Sequence, residues 1–232
     1  MRAEIVRFDA LKAVTRTAGP TSCSPTAEKL RERALRLAGE EGLGESRYAV
    51  RIVPLEGQAD GKLTVEDETL FAPRLLPASG ELSALGFAAC TLGGALEARV
   101  RSLFRARRPS LALALNALGD EMLAGINRRA QDRIQVQASR LGLDMAGELR
   151  PGDPGMGLAA QAAVLALAGG AQIGVRLSDH RMLEPVKSMT MVVGIGHNLP
   201  EATWSRCDEC RSRERCTWAR PRSATTAARS SA

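Results

Sequence analysis

Apolar residues recur every three or four positions in three stretches of the chain, and this spacing predicts amphipathic helices. The three stripes are Leu30, Ala34 and Leu37; Leu96, Val100, Leu103 and Phe104; and Leu111, Leu115, Leu118, Met122 and Ile126. Ser24-Pro25 precedes the first stripe and Pro109-Ser110 precedes the third. Ser can cap a helix and Pro suits the first helical turn, so both pairs are typical helix starts. A short Ala-rich helix is also expected at 158–168.

Other stretches have the pattern of strands. Residues 47–53 alternate between apolar and polar positions, whereas 85–91 form a continuous apolar run that is typical of a buried strand. Two further strand candidates lie at 173–177 and 189–195, and residues 54–80 have the Pro-, Gly- and acid-rich composition of hairpins and loops. Because strands and helices do not alternate as regular βαβ units, the pattern predicts an α+β architecture.

Composition and charge narrow the possible environments. The chain has 232 residues, of which 44% are hydrophobic and 3% aromatic, so its core must consist mainly of aliphatic side chains. No apolar run approaches the ~20 residues of a membrane span, and the N-terminus has no apolar signal core, so we expect a cytoplasmic protein. The net charge of +6 is concentrated after residue 204, where seven Arg accompany three acidic residues. The rest of the chain carries only +2, which is not a basic face, and such a tail more often gives solubility or loose anion contact than specific binding. We therefore expect neither a nucleic-acid nor a membrane partner.

Three of the five cysteines lie within ten residues, as Cys207, Cys210 and Cys216, with C-x2-C-x5-C spacing. The short turn of a C-x2-C pair brings two sulfurs to one side, where they can bind zinc or an iron–sulfur cluster. Both kinds of site usually take four ligands, and His197 and then Cys90 are the candidates for the fourth. A redox-active or structural disulfide, or a set of inert thiols, are the alternatives that the spacing leaves open.

Two further segments concentrate residues that can bind a ligand. Residues 150–157 contain three Gly and two Pro, which allow a ligand to approach a stiff backbone. Residues 178–188 carry Asp179, His180 and Lys187, side chains that can transfer a proton or hold an anion. Composition alone favours plain connecting loops for both segments.

The order of these segments resembles the activation domain of cobalamin-dependent methionine synthase, in its short stand-alone form. The Pro- and Gly-rich loop of that family and the Gln that follows it match 150–156 and Gln161, and its Ile-Gly-x-x-Leu strand matches 173–177. The family's Met-x-Pro-x-Lys-Ser segment matches 183–188, and its cysteine-rich ending matches 207–220.

The resemblance implies a curved antiparallel sheet with flanking helices, followed by a small cysteine module. The expected domains are an activation-domain-like α+β unit at 1–200 and a metal or cluster module at 201–220. Residues 221–232 are rich in Ser, Thr and Ala and have no apolar period, so we expect a disordered tail there.

The resemblance also implies a function in corrinoid chemistry. It indicates an accessory protein that reactivates a corrinoid-dependent methyltransferase by binding S-adenosylmethionine, by delivering an electron to cobalt, or by both. The partner is then a corrinoid protein or a cobalamin-dependent methyltransferase. A non-enzymatic protein-interaction module that contains zinc or an iron–sulfur cluster is the alternative. The residues that the resemblance implies in cofactor binding are Arg150, Pro151, Gly152, Gly155, Pro185, Lys187 and Ser188.

Overall fold

A five-stranded antiparallel sheet lies at the centre of the described part of the protein. The computed structural model describes residues 2–14 and 24–200, so the predicted cysteine module and tail lie outside the described residues. In chain order the strands and helices are β1 (Glu4–Asp9), α1 (Ala10–Val14), α2 (Pro25–Glu40), β2 (Glu45–Pro54), β3 (Gly57–Ala59), β4 (Lys62–Val65), β5 (Glu68–Phe71), β6 (Glu81–Thr91), α3 (Ala95–Arg105), α4 (Pro109–Arg140), β7 (Asp144–Leu149), α5 (Gln161–Leu167), β8 (Arg176–Leu177), β9 (Leu183–Glu184) and β10 (Ser188–His197). Short 3-10 helices cover Pro73–Leu75, Leu158–Ala160 and Gly170–Ile173.

The central sheet has the strand order β1-β2-β6-β10-β7, and each neighbouring pair is antiparallel. β3, β4 and β5 form a small second sheet, and β8 and β9 form a short hairpin. The register of β10 shifts against both of its neighbours, and such bulges bend a strand. The antiparallel sheet and its flanking helices confirm the predicted α+β class.

Each face of the sheet packs on a separate layer. On β2, Tyr48 and Val50 belong to the core under α1, α2, α3 and α4, whereas Ala49 and Val53 belong to the core beneath α5 and the small sheet. This alternation follows from the period of two along a strand. Strand β6 is buried on both faces, which explains its continuous apolar run.

Helix α4 is the longest described element, and it packs against both the central sheet and α2. Its 32 residues correspond to ~48 Å at 1.5 Å per residue. A Cβ on Gly86 of β6 would lie 2.7 Å from Ile134 Cγ2, so only glycine allows α4 to pack this closely on the sheet. On its other side, Glu121 forms an ion pair of 2.7 Å with Arg31 of α2. Neither α4 nor any other described helix combines the length and apolar character that a membrane crossing requires.

The structure differs from the sequence prediction at residues 173–177. A 3-10 helix covers Gly170–Ile173, and only Arg176–Leu177 pair as a strand, β8. Gly174 between them has a φ of 80°, a left-handed conformation that interrupts an extended chain. The predicted strand, which the resemblance also implied, is therefore wrong for most of its length.

Candidate functional site

Three chain segments meet at one end of the central sheet. Ser188, the first residue of β10, pairs with Thr91, the last residue of β6. Val192 of β10 pairs with Leu149, the last residue of β7. Because β10 is antiparallel to both neighbours, the turn after β6, the loop after β7 and the segment before β10 lie at the same end. This region is the strand-end site, which comprises residues 91–94, 148–157 and 185–190.

Arg150 is held at the strand-end site by a chain of polar contacts. Its Nε and one terminal nitrogen donate to Glu148 Oε1, at 2.8 and 2.7 Å. The other carboxylate oxygen of Glu148 accepts from Gln131 Nε2 of α4. Since α4 is fixed in the core, Gln131 anchors Glu148 and, through it, Arg150. A guanidinium has five N–H donors, so this pairing leaves donors for a ligand.

The loop after β7 has a defined conformation. The backbone N–H of Arg150 donates to Asp153 Oδ2 at 3.0 Å, and Gly152 N donates to Met156 O at 2.9 Å. Met156 is 1% exposed and packs in the core beneath α5, where it anchors the loop. Gly152 and Gly155 have φ values of 95° and 90°, which L side chains rarely adopt. The loop is thus more tightly built than the plain connection that its composition favours.

A second guanidinium lies beneath this loop, and no sequence motif marks it. A Cβ on Gly155 would lie 3.1 Å from Cδ and 3.4 Å from Nε of Arg74. Arg74 belongs to the 3-10 helix Pro73–Leu75. This helix packs on β7, where Leu75 Cδ2 is 3.2 Å from the Cβ position of Gly147. The segment 54–80, whose composition predicted only hairpins and loops, therefore supplies part of the support for the site.

Lys187 is nearly buried beside α4. The residue is 8% exposed, and its Nζ donates to Asp120 Oδ1. Gly119 makes room for the lysine stem, because a Cβ there would lie 3.3 Å from Lys187 Cε. The Asp120 side chain is 59% exposed, so the pair joins a desolvated ammonium to a carboxylate that is open to solvent. Pro185 follows β9 directly and begins the segment that brings Lys187 to α4.

Ser188 and Thr91 share a hydrogen bond of 2.8 Å between their hydroxyl groups. Thr91 Oγ1 also accepts from Gly93 N at 3.0 Å, which shapes the turn before α3. Gly93 has a φ of 68°, and no atom lies within 4 Å of the Cβ position of either Gly93 or Gly94. The turn therefore borders open space next to Ser188.

Exposed apolar side chains lie in and next to the strand-end site. Leu158, Met182 and Val186 are 43%, 60% and 64% exposed, which is high for large hydrophobic residues. Arg181 Nη1 donates to Ala159 O at 3.3 Å and so joins the two segments on which these side chains lie. We refer to Leu158, Met182 and Val186 as the apolar rim.

Cys90 lies in the core beside the strand-end site and is 1% exposed. Burial raises the pKa of its thiol to about 12, and the charges of Arg150 and Glu148 lower and raise that pKa respectively. These effects also indicate that Arg150 and Glu148 lie near the end of β6. A protonated, enclosed thiol is a poor metal ligand, which argues against Cys90 as the fourth ligand of a metal site.

The predicted cysteine site itself stays a prediction, because Cys207, Cys210 and Cys216 lie outside the described residues. His197, the first candidate for a fourth ligand, is exposed at the end of β10. Among residues 2–14 and 24–200, no group of three or more His, Cys, Asp or Glu side chains is arranged to hold a metal ion.

A separate concavity lies at the opposite edge of the sheet. It has a volume of about 550 Å³, and the residues that line it include Arg7, Phe8, Asp9, Gly44 and Glu45. These residues belong to β1, to the turn after α2 and to the start of β2, and two strands separate β1 from β10. The concavity is therefore not part of the strand-end site, and ligand-binding experiments can distinguish the two locations.

Comparison with known proteins gives a structural likeness but no sequence family. No protein-family model matches the chain, and no curated protein matches it by sequence. The fold is similar to the crystal structure of the MetH reactivation domain bound to AdoHcy, with a TM-score of 0.64 and 13% sequence identity. The likeness covers 88% of this chain and 81% of that one. At this identity it shows a shared fold, which agrees with the fold that the sequence resemblance implies.

Proposed function

We propose that the protein binds S-adenosylmethionine at the strand-end site and helps to reactivate a corrinoid-dependent methyltransferase. The observation that carries this proposal is the charge of the site, where Arg150 is paired with Glu148 and Lys187 with Asp120. Paired cations attract a polyphosphate weakly and suit a ligand whose own charges nearly balance. S-adenosylmethionine is such a ligand, since it carries a sulfonium, an ammonium and a carboxylate. In support, the MetH reactivation domain, which is similar in fold, binds AdoHcy.

The residues of the site hold and orient this ligand. Arg150 offers the N–H donors that Glu148 leaves unbound, and Gly152 and Gly155 allow a ligand to approach the loop backbone. Pro151 and Pro185 stiffen the two segments.

No acid or base is required. The methyl group of S-adenosylmethionine would go to cobalt(I), whose electron pair would form the new bond while the electron pair of the broken bond stays on sulfur, and a one-electron reductant outside this site would first convert cobalt(II) to cobalt(I). Orientation by the protein is then the main contribution, and effects of this kind reach ~7–11 kcal/mol.

The apolar rim suggests where a corrinoid protein would dock. Exposed hydrophobic side chains around a ligand site are typical of surfaces that bind another protein. Leu158 follows the loop 148–157, and Val186 belongs to the segment 185–190, so a partner seated on the apolar rim would lie beside the bound ligand. The proposed partner is therefore a corrinoid protein that approaches over the loop after β7 and the β8–β9 hairpin.

Thermal unfolding in the presence of ligand tests the binding. A ligand at 100 times its dissociation constant should stabilise the protein by ~2.7 kcal/mol, which raises Tm by ~5–10 °C for a chain of this size. Arg150→Ala should remove most of this shift. Arg176→Ala is the matched control, because its ion pair with Glu184 is outside the strand-end site and the Arg176 side chain is 78% exposed. No shift with millimolar S-adenosylmethionine or S-adenosylhomocysteine would contradict the proposal.

The cysteine-rich segment supports a second proposal, in which Cys207, Cys210 and Cys216 hold zinc or an iron–sulfur cluster. The C-x2-C spacing is the observation that favours it. A cluster would allow the chain to deliver an electron to cobalt in addition to binding S-adenosylmethionine. A zinc ion would instead make this segment a structural or protein-interaction module.

A further inference from the structure

We propose that the ion pair of Lys187 and Asp120 recognises the amino-acid part of the ligand. Lys187 Nζ donates to the carboxylate of the ligand, and Asp120 accepts from its α-ammonium. This recognition rests on the proposed binding of S-adenosylmethionine, and it makes the site select adenosyl ligands that carry an amino acid over those that lack one.

The ammonium group of Lys187 lies where little water can reach it. The residue is 8% exposed, and its stem packs against α4 at Gly119. A desolvated ammonium must be compensated by nearby acceptors, and within the described residues its side-chain partner is Asp120. The ammonium has three N–H donors, so a ligand carboxylate can take up donors that Asp120 leaves unbound.

Asp120 provides the complementary charge. Its side chain is 59% exposed, and in the described part of the chain Oδ1 is the oxygen that Lys187 engages. The second carboxylate oxygen is thus open to an ammonium group. The two charged groups of an α-amino acid are attached to one carbon atom, so they can contact two adjacent opposite charges at the same time. Each charge of the ligand then meets its opposite in the pair.

Open space adjoins the turn beside Lys187, so that a ligand can approach from there. Leu92 N donates to Lys187 O at 3.0 Å, which places the turn before α3 directly beside Lys187. Beyond their own chain neighbours, Gly93 and Gly94 in this turn have no atom within 4 Å of their Cβ positions. This side of the turn is therefore open to the amino-acid chain of a ligand.

Calorimetry with two ligands tests the recognition. S-adenosylhomocysteine carries the amino acid, whereas 5′-methylthioadenosine keeps the adenosine and the thioether without it. The wild type should bind S-adenosylhomocysteine at least ~10-fold more tightly than 5′-methylthioadenosine, since hydrogen bonds to charged groups strengthen binding by about this factor. In Lys187→Met, which retains the stem, the ratio should fall to within about twofold while the affinity for 5′-methylthioadenosine is unchanged. Arg176→Met should keep the ratio of the wild type.

The outcomes separate the recognition from the proposed function. An unchanged ratio in Lys187→Met and in Asp120→Asn overturns the role of the ion pair and leaves adenosyl-ligand binding standing. Failure of the wild type to bind either ligand contradicts the proposed function and the recognition together. If circular dichroism shows that Lys187→Met does not fold, Asp120→Asn decides, because it creates no cavity and keeps a side-chain oxygen that accepts from Lys187 Nζ.

Discussion

Arg150 and Lys187, the two paired cations of the strand-end site, are held in different ways. Glu148, the partner of Arg150, is itself bound by Gln131 of α4, so the guanidinium is fixed before a ligand arrives. Asp120, the partner of Lys187, is mostly exposed and free to share its charge with a ligand. A fixed Arg150 lowers the ordering cost of binding. In the proposed binding mode the two pairs therefore have different tasks: Arg150 is preorganised, and Lys187 exchanges part of its pairing.

Gly155→Ala should destabilise the protein more than Gly174→Ala does. Both glycines have positive φ values, 90° and 80°, so an added Cβ costs about 1–2 kcal/mol at each position. At Gly155 the Cβ also meets Arg74 Cδ at 3.1 Å, whereas nothing lies within 4 Å at Gly174. The extra loss, about 1 kcal/mol, is measurable by urea unfolding. Equal losses in the two variants would show that Arg74 does not restrain the loop after β7.

Cys90 should make the fold sensitive to alkaline pH. Burial raises the pKa of its thiol from the ordinary value of 9.0 to about 12. Below pH 9 the thiol is protonated in the folded and unfolded states, so it contributes no pH dependence. Between pH 9 and 12 only the unfolded chain loses the proton, and the free energy of unfolding falls by up to ~1.4 kcal/mol per pH unit.

Urea unfolding at pH 8 and pH 10.5 checks this effect. The wild type should lose more stability between the two values than Cys90→Ala, which has no thiol at this position. Tyr48, whose pKa burial also raises, is present in both proteins. Its effect largely cancels in the comparison, because Cys90 is the smallest of the influences on its pKa. The same loss in both proteins would show that Cys90 is not the cause.

Among the elements, α2 begins with a cap that can be tested alone. Ser24 Oγ accepts from Ala27 N at 3.3 Å, and Pro25 occupies the first helical turn. Ser24→Ala should lower the free energy of unfolding by about 1 kcal/mol, whereas Ser24→Asp should retain most of it, because Asp accepts the same N–H. Chemical denaturation measures both values. An Ala variant as stable as the wild type would show that the Ser24 cap does not stabilise the protein.

The elements that the sequence predicts well are those with a long periodic pattern. α2, α3 and α4 each have a continuous apolar stripe, and β2, β6 and β10 have alternating or fully apolar runs. β1 and β7 are missed. Ile5 of β1 is 44% exposed, and β7 contains Gly147 at a φ of 69°. Both strands take their form from hydrogen bonds to β2 and β10, which no local pattern reveals.

The strand-end site is predictable from the sequence only in part. The loop 150–157 and the segment 185–188 contain Gly, Pro and Lys at the spacing of the family that the sequence resembles. Sequence motifs therefore find both segments. Asp120 and Gln131 lie eleven residues apart, about three turns of α4, so they share one side of the helix. Nothing local distinguishes them from other polar helix residues, and only the packing of α4 shows their partners. Gln161, which the resemblance matches, uses its buried amide to bind Thr190 at 2.6 Å.

For the molecule as a whole, the antiparallel register brings together segments that are far apart in the sequence. Each of the three site segments adjoins a different strand. They are the turn after β6, the loop after β7 and the segment before β10. α4 then contacts all three through Asp120, Gln131 and the core. A site of this kind depends on the complete sheet, so a variant that unfolds β10 should lose ligand binding entirely.

Cys210→Ser should lower the metal content of the full-length protein. The C-x2-C pair of Cys207 and Cys210 is expected to supply two ligands of one zinc ion or one iron–sulfur cluster. Iron, sulfide and zinc analysis of anaerobically purified protein should therefore find about one zinc ion or one cluster per chain in the wild type and much less in Cys210→Ser. Cys90→Ala, with its buried thiol removed, should retain the wild-type content. Equal metal in both variants would exclude Cys210 as a ligand.

Backbone amide NMR during a titration with S-adenosylmethionine shows which residues the ligand contacts. The largest shift changes should occur at residues 91–94, 148–157 and 185–190, and Arg150→Ala should strongly reduce them. Changes confined to the concavity around Arg7, Asp9 and Glu45, or no changes at millimolar ligand, would contradict the assignment of the strand-end site.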